Sequence, residues 1–554
     1  MKFKHNIPIL LMIAAFIIGG CSSPASNDSS KPSSESSSSE PSSESSSSSS
    51  SSESSASSST SSSASSEKGS ESSSSSSRSE SSNSASSSES SSSASSSESS
   101  SSSSSLGSSS SLPPEPTYLE KDVVVEMDPG LKTSENPVPY EITLKYSDTY
   151  FLNSAKEYDE DLSMLSFGAS IATATKTRGE AFFTDSGFND ITSHDYDKEP
   201  TKDTMGYFLA HKSIDDFELV AVSFRGFGYG LEWANNFAIG KTGNHEGFYA
   251  RGIEAFRDLL IYIKQYCSNK DLKIWINGYS RAGALSNVLA SILLNPSLSS
   301  SPKINQDDLY VYTFEAPASI DEANALAYEN VHNINNEVDL ITFIPPQTYG
   351  LKRCGVDYPI YDADVSTLIK EFDEEIVIPE FVPVEDLTEE PLDSDAKVRD
   401  FIINTVFNKK EDEYTDPSVY ANTREQYVDN YQEGLSIALG YVFALKEATR
   451  ASLLADLTAL GLGALSIIGD ETGVELMNFF KPYLERDGIT YNEEELLSAC
   501  AILIKGVQNL FLAIILMYVG DQTKGSITRL IDMHYPETTY VLLKNAHQKA
   551  QTIE

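Results

Sequence analysis

A serine at a sharp turn between a buried strand and a helix is the feature of this sequence best able to do chemistry. It lies within Leu272 to Leu294, LKIWINGYSRAGALSNVLASILL. Leu272 to Ile276 is short, β-branched and aromatic, as a buried strand requires. Leu285, Val288, Leu289 and Ile292 then recur at helical spacing until Asn295-Pro296 stops the run. Between the two, Gly278-Tyr279-Ser280-Arg281-Ala282-Gly283 approximates the nucleophile elbow G-x-S-x-G, with Ala282 at the second glycine position. Small residues on either side of the serine let strand and helix approach closely. A serine hydroxyl is a weak nucleophile, so it needs an imidazole within hydrogen-bond reach and a carboxylate that fixes that imidazole's tautomer.

The elements that must position such a group are legible on both sides of it. Val123-Val124-Val125 and Glu141 to Leu144 read as early strands, and Leu162, Leu165 and Ile171 set a helical interval within Ser154 to Thr175. Tyr207 to Ala210 and Glu218 to Phe224 read as adjacent strands, the second running into Arg225-Gly226-Phe227-Gly228. A strand that ends in glycines exposes backbone N–H groups at the carboxyl edge of a sheet, where α/β proteins receive ligands. A helix carrying Ile253, Phe256, Leu260 and Ile263 follows, and after the serine come strands at Leu309 to Phe314 and around Val331 to Ile334. The alternation predicts an α/β fold with a largely parallel sheet and helices on both faces.

Five stretches, in order, resemble the class 3 lipase family of α/β-hydrolases. Phe224-Arg225-Gly226 resembles its FRG oxyanion segment, and His245-Glu246-Gly247-Phe248 its H-x-G-F. Gly278 to Leu285 resembles its G-H-S-L-G-G-A-L elbow, and Tyr312 to Pro317 its T-F-G-x-P strand end. Asn336 to Pro346 resembles the N-x-x-D-x-V-P-x-x-P segment that bears the acid. The likeness covers about Tyr207 to Pro346 and implies a serine hydrolase of carboxylic esters. Phe227 stands where the family has a small hydroxyl residue, and Arg281 where it has an apolar one. Both departures bear on substrate range or rate without removing a member of the triad.

In that fold the chain order is serine, acid, histidine. His332, His534 and His547 follow Ser280. His332 precedes the acid segment and falls on a strand, so a structural role is expected. His534 lies in Ile531 to Glu537, where Pro536 marks a loop resembling the family's histidine-bearing loop; His547, in a polar terminal helix, is the competitor. Asp339 matches the family position of the acid, ahead of Glu337 nearby and Asp532 further on. The resemblance makes the oxyanion hole the N–H of Arg281, after the nucleophile, with that of Phe227. His245, before the serine, is expected to pack or fix a loop, and Arg225 either pairs with a carboxylate behind the site or lies on the surface.

Outside this core the composition changes. Met1 to Gly20 carries Lys2 and Lys4 before an apolar stretch from Ile7 to Ile18, the pattern of a secretory signal. Its end, Ile18-Gly19-Gly20-Cys21, resembles the bacterial lipobox, in which the cysteine is acylated. Residues 21–112 follow as a lipidated cysteine and a serine-rich tether, too poor in apolar residues to order itself. As a flexible coil the tether spans roughly 50 Å. The expected location is therefore the extracellular face of a bacterial membrane, anchored through Cys21. Pro113 to Glu554 remains as the hydrolase domain.

The formal net charge is −41. Most of it falls on that domain, which argues against nucleic acid as a partner. Cys267, Cys354 and Cys500 fit no metal spacing and read as scattered buried thiols, so neither metal nor cofactor is expected.

A large cap-like helical insertion is expected at about 350–530, since the segment before His534 exceeds what the core needs. Ser452 to Ile468 and Ala499 to Val519 are rich in Leu, Ile and Ala; Lys505, Gln508 and Asn509 make the second a buried cap helix rather than a membrane span. The reading is a surface-tethered hydrolase of lipid or other acyl esters. The competing one is a non-catalytic cell-surface binding protein that keeps the hydrolase fold, because Phe227 and Arg281 are unusual beside an oxyanion site.

Overall fold

The computed structural model describes residues 117–132, 138–227, 230–267, 271–295, 304–385, 388–404, 423–446, 473–508 and 526–553, with a few positions between 449 and 456. The signal, Cys21 and the serine tether lie outside the described residues, as do most of Ser452 to Ile468 and all of 509–525. Among the described residues no helix is long and apolar enough to cross a membrane.

A hairpin of β1 (Glu120–Met127) and β2 (Tyr140–Ser147) comes first. Its two strands pair antiparallel, apart from the main sheet. Val123, Val125 and Met127 are buried and the residues between them are not, so one face lies on α1 (Glu160–Ala172) and the other meets solvent. The expected early strands are therefore present, but outside the sheet that carries the elbow.

That sheet has seven strands. They are β3 (Asn189–His194), β4 (Tyr207–Ile214), β5 (Phe217–Phe224), β6 (Asp271–Tyr279), β7 (Leu309–Phe314), β8 (Val331–Asn336) and β9 (Val356–Ile360). Their order across the sheet is β9-β8-β7-β6-β5-β4-β3. The five from β9 to β5 are mutually parallel, and β4 and β3 extend the edge antiparallel. The fold is thus α/β, with a largely parallel sheet. Ser280 follows β6, whose two direct neighbours, β7 and β5, both run parallel to it.

Side-chain alternation along β6 divides the core in two. Trp275 and Tyr279 join the cluster of Phe167, Phe182 and Leu219, while Ile274 and Ile276 join that of Val220, Leu285 and Val288. The first cluster is covered by α1, α2 (Lys176–Asp185) and the C-terminal helix, and the second by α3 (Glu246–Tyr266) and α4 (Arg281–Leu294). Helices therefore flank both faces. β8 reads VHNINN yet is buried at every residue, and most of its polar side-chain groups are paired. Asn333 accepts hydrogen bonds from Asn287 (2.8 Å) and Thr313 (2.7 Å) and donates to the Cys354 carbonyl (2.8 Å). His332 donates to the Ala155 carbonyl at 3.0 Å, and burial pushes its imidazole down to about 4. The three cysteines beyond residue 21 are free, buried thiols.

The segment 350–530 divides into parts. Its first residues include β9, an edge strand of the main sheet. Then α5 (Val365–Phe372) and α6 (Asp395–Ile402) bury Val365, Ile369, Val398 and Ile402 in the same core as Trp275. Only the later part, α7 (Glu433–Ala444), α8 (Val474–Asp487) and α9 (Glu493–Gln508), gathers a small core of its own around Leu476, Phe480, Leu484 and Leu496. α7 packs on the short 3₁₀ segment Gly230–Phe237 just after β5. Arg424 fixes the start of this part by donating to the carbonyls of Ile239 (2.8 Å) and Gly243 (2.7 Å).

The chain returns through α10 (Ser526–Asp532) and α11 (Pro536–Ile553). Arg529 on α10, almost wholly buried, holds Asp395 of α6 through Nε and Nη2, both at 2.8 Å, and also reaches Ser366 and the Pro379 carbonyl. The non-cap part of the insertion therefore braces the helix that leads into His534. Removing one partner of a buried pair strands the other charge. Asp395→Ala is expected to cost about 3–5 kcal/mol, read as a lower urea midpoint; an unchanged midpoint would show that the pair carries no stability.

Candidate active site

Close backbone approach creates the site. Ser280 caps α4 with φ 55° and ψ −123°, and its N–H donates to the Phe314 carbonyl at 2.7 Å. Non-glycine residues seldom take positive φ, and such strain collects at functional turns. A Cβ on Gly278 would lie 2.3 Å from the Ala282 carbonyl oxygen, and one on Gly283 would lie 2.8 Å from Ala316 Cβ. Glycine is needed at both places, while Ala282 is accommodated in the helix-side cluster.

The three residues singled out as nucleophile, base and acid meet at this turn. Ser280 Oγ lies 2.8 Å from His534 Nε2, and His534 Nδ1 lies 2.6 Å from Asp339 Oδ2. Each is held from behind. Asp339 caps the 3₁₀ turn Leu340–Phe343 by accepting from Ile341 N–H at 2.8 Å, leaving its other oxygen to the imidazole. The His534 carbonyl accepts from the Tyr279 hydroxyl at 2.7 Å, so the residue before the nucleophile locks the histidine loop. His547 is elsewhere, 3.5 Å from Asp161. Glu337 is exposed, and the carboxyl of Asp532, pushed up to about 7 by burial, is not the partner of the ring. Ser280 keeps 7% of its surface exposed in this conformation.

Phe227 and Arg281 both lie beside the serine. A Cβ on Gly226 would sit 2.6 Å from the Tyr279 carbonyl oxygen, which is how closely the loop after β5 crosses the elbow. Phe227 is buried and stacks on Tyr279 with ring centroids 5.1 Å apart. Arg281 opens α4, so its amide precedes the first intrahelical acceptor. Its side chain, buried to 2% exposure, reaches Glu232 Oε2 at 3.1 Å, while Arg225 reaches Glu232 Oε1 at 2.6 Å. Arg225 also lies 4.9 Å from the Tyr196 ring. The unusual residue after the nucleophile is thus one of three in an Arg-Glu-Arg cluster that holds the Gly230–Phe237 segment to the elbow. Nothing in the local pattern around Glu232 marked it as that partner, because the pairing spans 49 residues.

His245 caps α3, stacks on Phe248 at 3.9 Å and is neutral, burial pushing it down to about 3. One grouping with metal-ligand proximity exists among the described residues, His211, Glu218 and Cys267, at the far end of β5 from the elbow. There the His211 ring is already hydrogen-bonded to Glu218 at 3.1 Å and to Asp190 at 3.0 Å. A cleft of about 660 Å³ between the start of α3 and the end of α4 touches none of the triad.

Sequence comparison fits this geometry. Residues 221–349, from β5 past the turn of Asp339, match the family profile described as Lipase (class 3). Residues 221–349 thus form a class 3 lipase segment. The protein is accordingly a carboxylic ester hydrolase, and the stretch that matches contains Phe227, Ser280, Arg281 and Asp339 but not His534. Similar solved structures include a Rhizomucor miehei lipase–propeptide complex, 18% identical over 37% of this chain and 70% of that one, at a TM-score of 0.28. The lipase of Rhizopus microsporus var. chinensis is 18% identical over 37% and 77%, at 0.27. A triacylglycerol lipase with a serine-protease triad as its catalytic centre is 19% identical over 36% and 78%, at 0.28. The assignment rests on the profile match rather than on these partial overlays. No curated protein matches the sequence.

Within this hydrolase the cluster around Glu232 makes a measurable demand. Glu232→Gln leaves two buried guanidinium groups facing an uncharged amide and is expected to destabilise the fold by about 3–5 kcal/mol. Thermal unfolding checks this; an unchanged Tm would mean that the arginines are neutralised by other groups.

Proposed function

We propose that this lipase-family protein is a surface-tethered serine hydrolase that cleaves lipid or other acyl esters through an acyl-enzyme. The observation that carries the reading is the chain of contacts from Ser280 Oγ to His534 Nε2 at 2.8 Å and from His534 Nδ1 to Asp339 at 2.6 Å. In the proposed first step His534 takes the hydroxyl proton as Ser280 Oγ bonds to the ester carbonyl carbon. The oxyanion faces the N–H groups of Phe227 and Arg281, donors fixed before the charge develops. Collapse breaks the carbon–oxygen bond to the alcohol, which leaves with the proton from His534. A water molecule then adds by the same route and releases the carboxylic acid, with Asp339 stabilising the imidazolium in both halves. Cys21 anchors the protein by its acyl chains on the outer face of a bacterial membrane, and the serine tether lets the domain reach away from it. The helices α7 to α9, seated on the Gly230–Phe237 segment, wall the acyl pocket in this reading.

The test uses the soluble domain, a fluorophosphonate probe and p-nitrophenyl esters of several lengths. Wild type should be labelled, while Ser280→Ala and His534→Ala should lose kcat/KM by about 10⁴-fold or more. Absence of labelling in the wild type would favour the binding-protein reading, and full activity in His534→Ala would remove the proposed base. Gly226→Ala, which pushes the oxyanion loop off the Tyr279 carbonyl, is expected to lower kcat by about 10²–10³-fold with KM little changed. An equal loss in KM alone would instead place this loop in substrate binding.

A further inference from the structure

One buried carboxyl beside the triad has no part in the mechanism so far. Glu315 follows β7 with φ 48°, a left-handed conformation that favours glycine, and it is wholly inaccessible to solvent. Its carboxyl is nevertheless fully engaged. One oxygen accepts from the Asn336 N–H at 2.9 Å and the other from the Thr539 hydroxyl at 3.0 Å. That hydroxyl also meets the Tyr279 hydroxyl at 2.9 Å, and Tyr279 in turn holds the His534 carbonyl. The same carboxyl is in hydrogen-bonding contact with Asp339.

Two carboxylates cannot both remain charged in contact inside a protein, so one proton must stay between them. The contacts place it on Glu315, which apart from Asp339 meets only neutral donors. Asp339 already accepts from the His534 ring and from Ile341 N–H, whereas burial, followed by the charge of Asp339, drives the Glu315 carboxyl well above the usual range. The ionisable groups around it are few. Asp339 faces it from the turn after β8, with His534 behind that; Thr539 and Tyr279 face it with hydroxyls from α11 and β6. Arg353 donates to the neighbouring Ala316 carbonyl at 3.0 Å, but its charge is paired with Asp357.

We propose that Glu315 is a positioning residue of the hydrolytic site, carrying a proton that it donates to Asp339 so that the acid is held toward His534. The hydrogen bond withdraws negative charge from Asp339, so the pair sets less charge against the His534 ring than an unassisted carboxylate would. The site is a chain of four, Glu315–Asp339–His534–Ser280, in which only the last three follow the proton of the reaction. Tyr279 and Thr539 stand between the Glu315 carboxyl and the backbone of the same histidine.

This inference rests on the triad reading, so it needs one readout that does not depend on turnover. Glu315→Gly suits the backbone and removes the donor, while Glu315→Gln keeps a neutral donor. The two are compared with wild type by kcat/KM against pH, and by NMR titration of the His534 Cε1–H in the resting protein, assigned with His534→Ala. In Glu315→Gly the His534 titration and the acid limb of the profile should both rise by about one pH unit. Glu315→Gln should restore both to within about 0.3 unit of wild type. A fall in the His534 titration in Glu315→Gln would mean that Glu315 is ionised, and unchanged profiles in both variants would reduce it to a packing residue. Either result overturns the proposal. If no variant, wild type included, hydrolyses esters while the NMR titration still shifts as stated, the triad reading fails and the contact between Glu315 and Asp339 stands.

Discussion

The constraint on which this molecule depends is the contact distance between the end of β6 and the start of α4. With no side chain at Gly278 or Gly283, the helix begins against its own strand, and Ser280 is forced into a positive φ at the crossing. Every other part of the site is placed relative to that crossing. The Phe314 carbonyl of the next strand accepts from the Ser280 amide, and the loop after β5 passes so near the Tyr279 carbonyl that Gly226 must lack a side chain. Tyr279 reaches forward to the histidine loop. Backbone proximity at one point thus fixes a nucleophile, a candidate donor loop and a base that come from residues 224 to 534.

Burial of charge is the second organising element, and it is distributed unevenly. The large negative excess lies mostly on exposed side chains, where water screens it and its contribution to the fold is small. Several of the buried charges instead come in sets. Arg225, Glu232 and Arg281 form one against the elbow, Arg529 and Asp395 another behind the histidine helix, and Lys212 with Asp148 a third at 2.6 Å below β2. Such sets contribute little net stability relative to apolar packing but strongly penalise rearrangement, because breaking any one strands an ion. That property suits a site whose parts are scattered over some 300 residues.

The elements that could be read from the sequence were those governed by local rules. Strands such as Phe217–Phe224 are largely apolar, and the turn at Ser280 has its small residues at fixed offsets, so neither depends on distant context. Asp339 was legible because it both starts a turn and precedes Pro345-Pro346. β3 and β9 were not, since Asn189–His194 and Val356–Ile360 are polar or proline-bearing edge strands whose pairing is decided by the neighbour they meet. The insertion looked uniform because helical periodicity reports that a face is apolar and not what it packs against. Its first helices share a core with Trp275, and only the later ones form a layer over the Gly230–Phe237 segment. Glu232 and Glu315 were invisible for the same reason: one spans 49 residues to its arginine, and the other looks like an ordinary acid after a strand.

The division of the insertion bears on how substrate range can vary in this fold. Residues 365–403 cannot change freely, because they supply core side chains and the carboxylate that holds Arg529 just before His534. The helices from 433 to 508 have their own small core and touch the hydrolase chiefly through the segment after β5 and the carbonyls gripped by Arg424. Alterations among their outward residues leave the sheet, the elbow and the histidine brace intact. The Gly230–Phe237 segment is the part that both sides share, since it carries α7 on one face and offers Glu232 to Arg281 on the other. Any movement of this segment must therefore either break a buried ion cluster or carry the arginines with it, and the residue directly after the nucleophile is one of them.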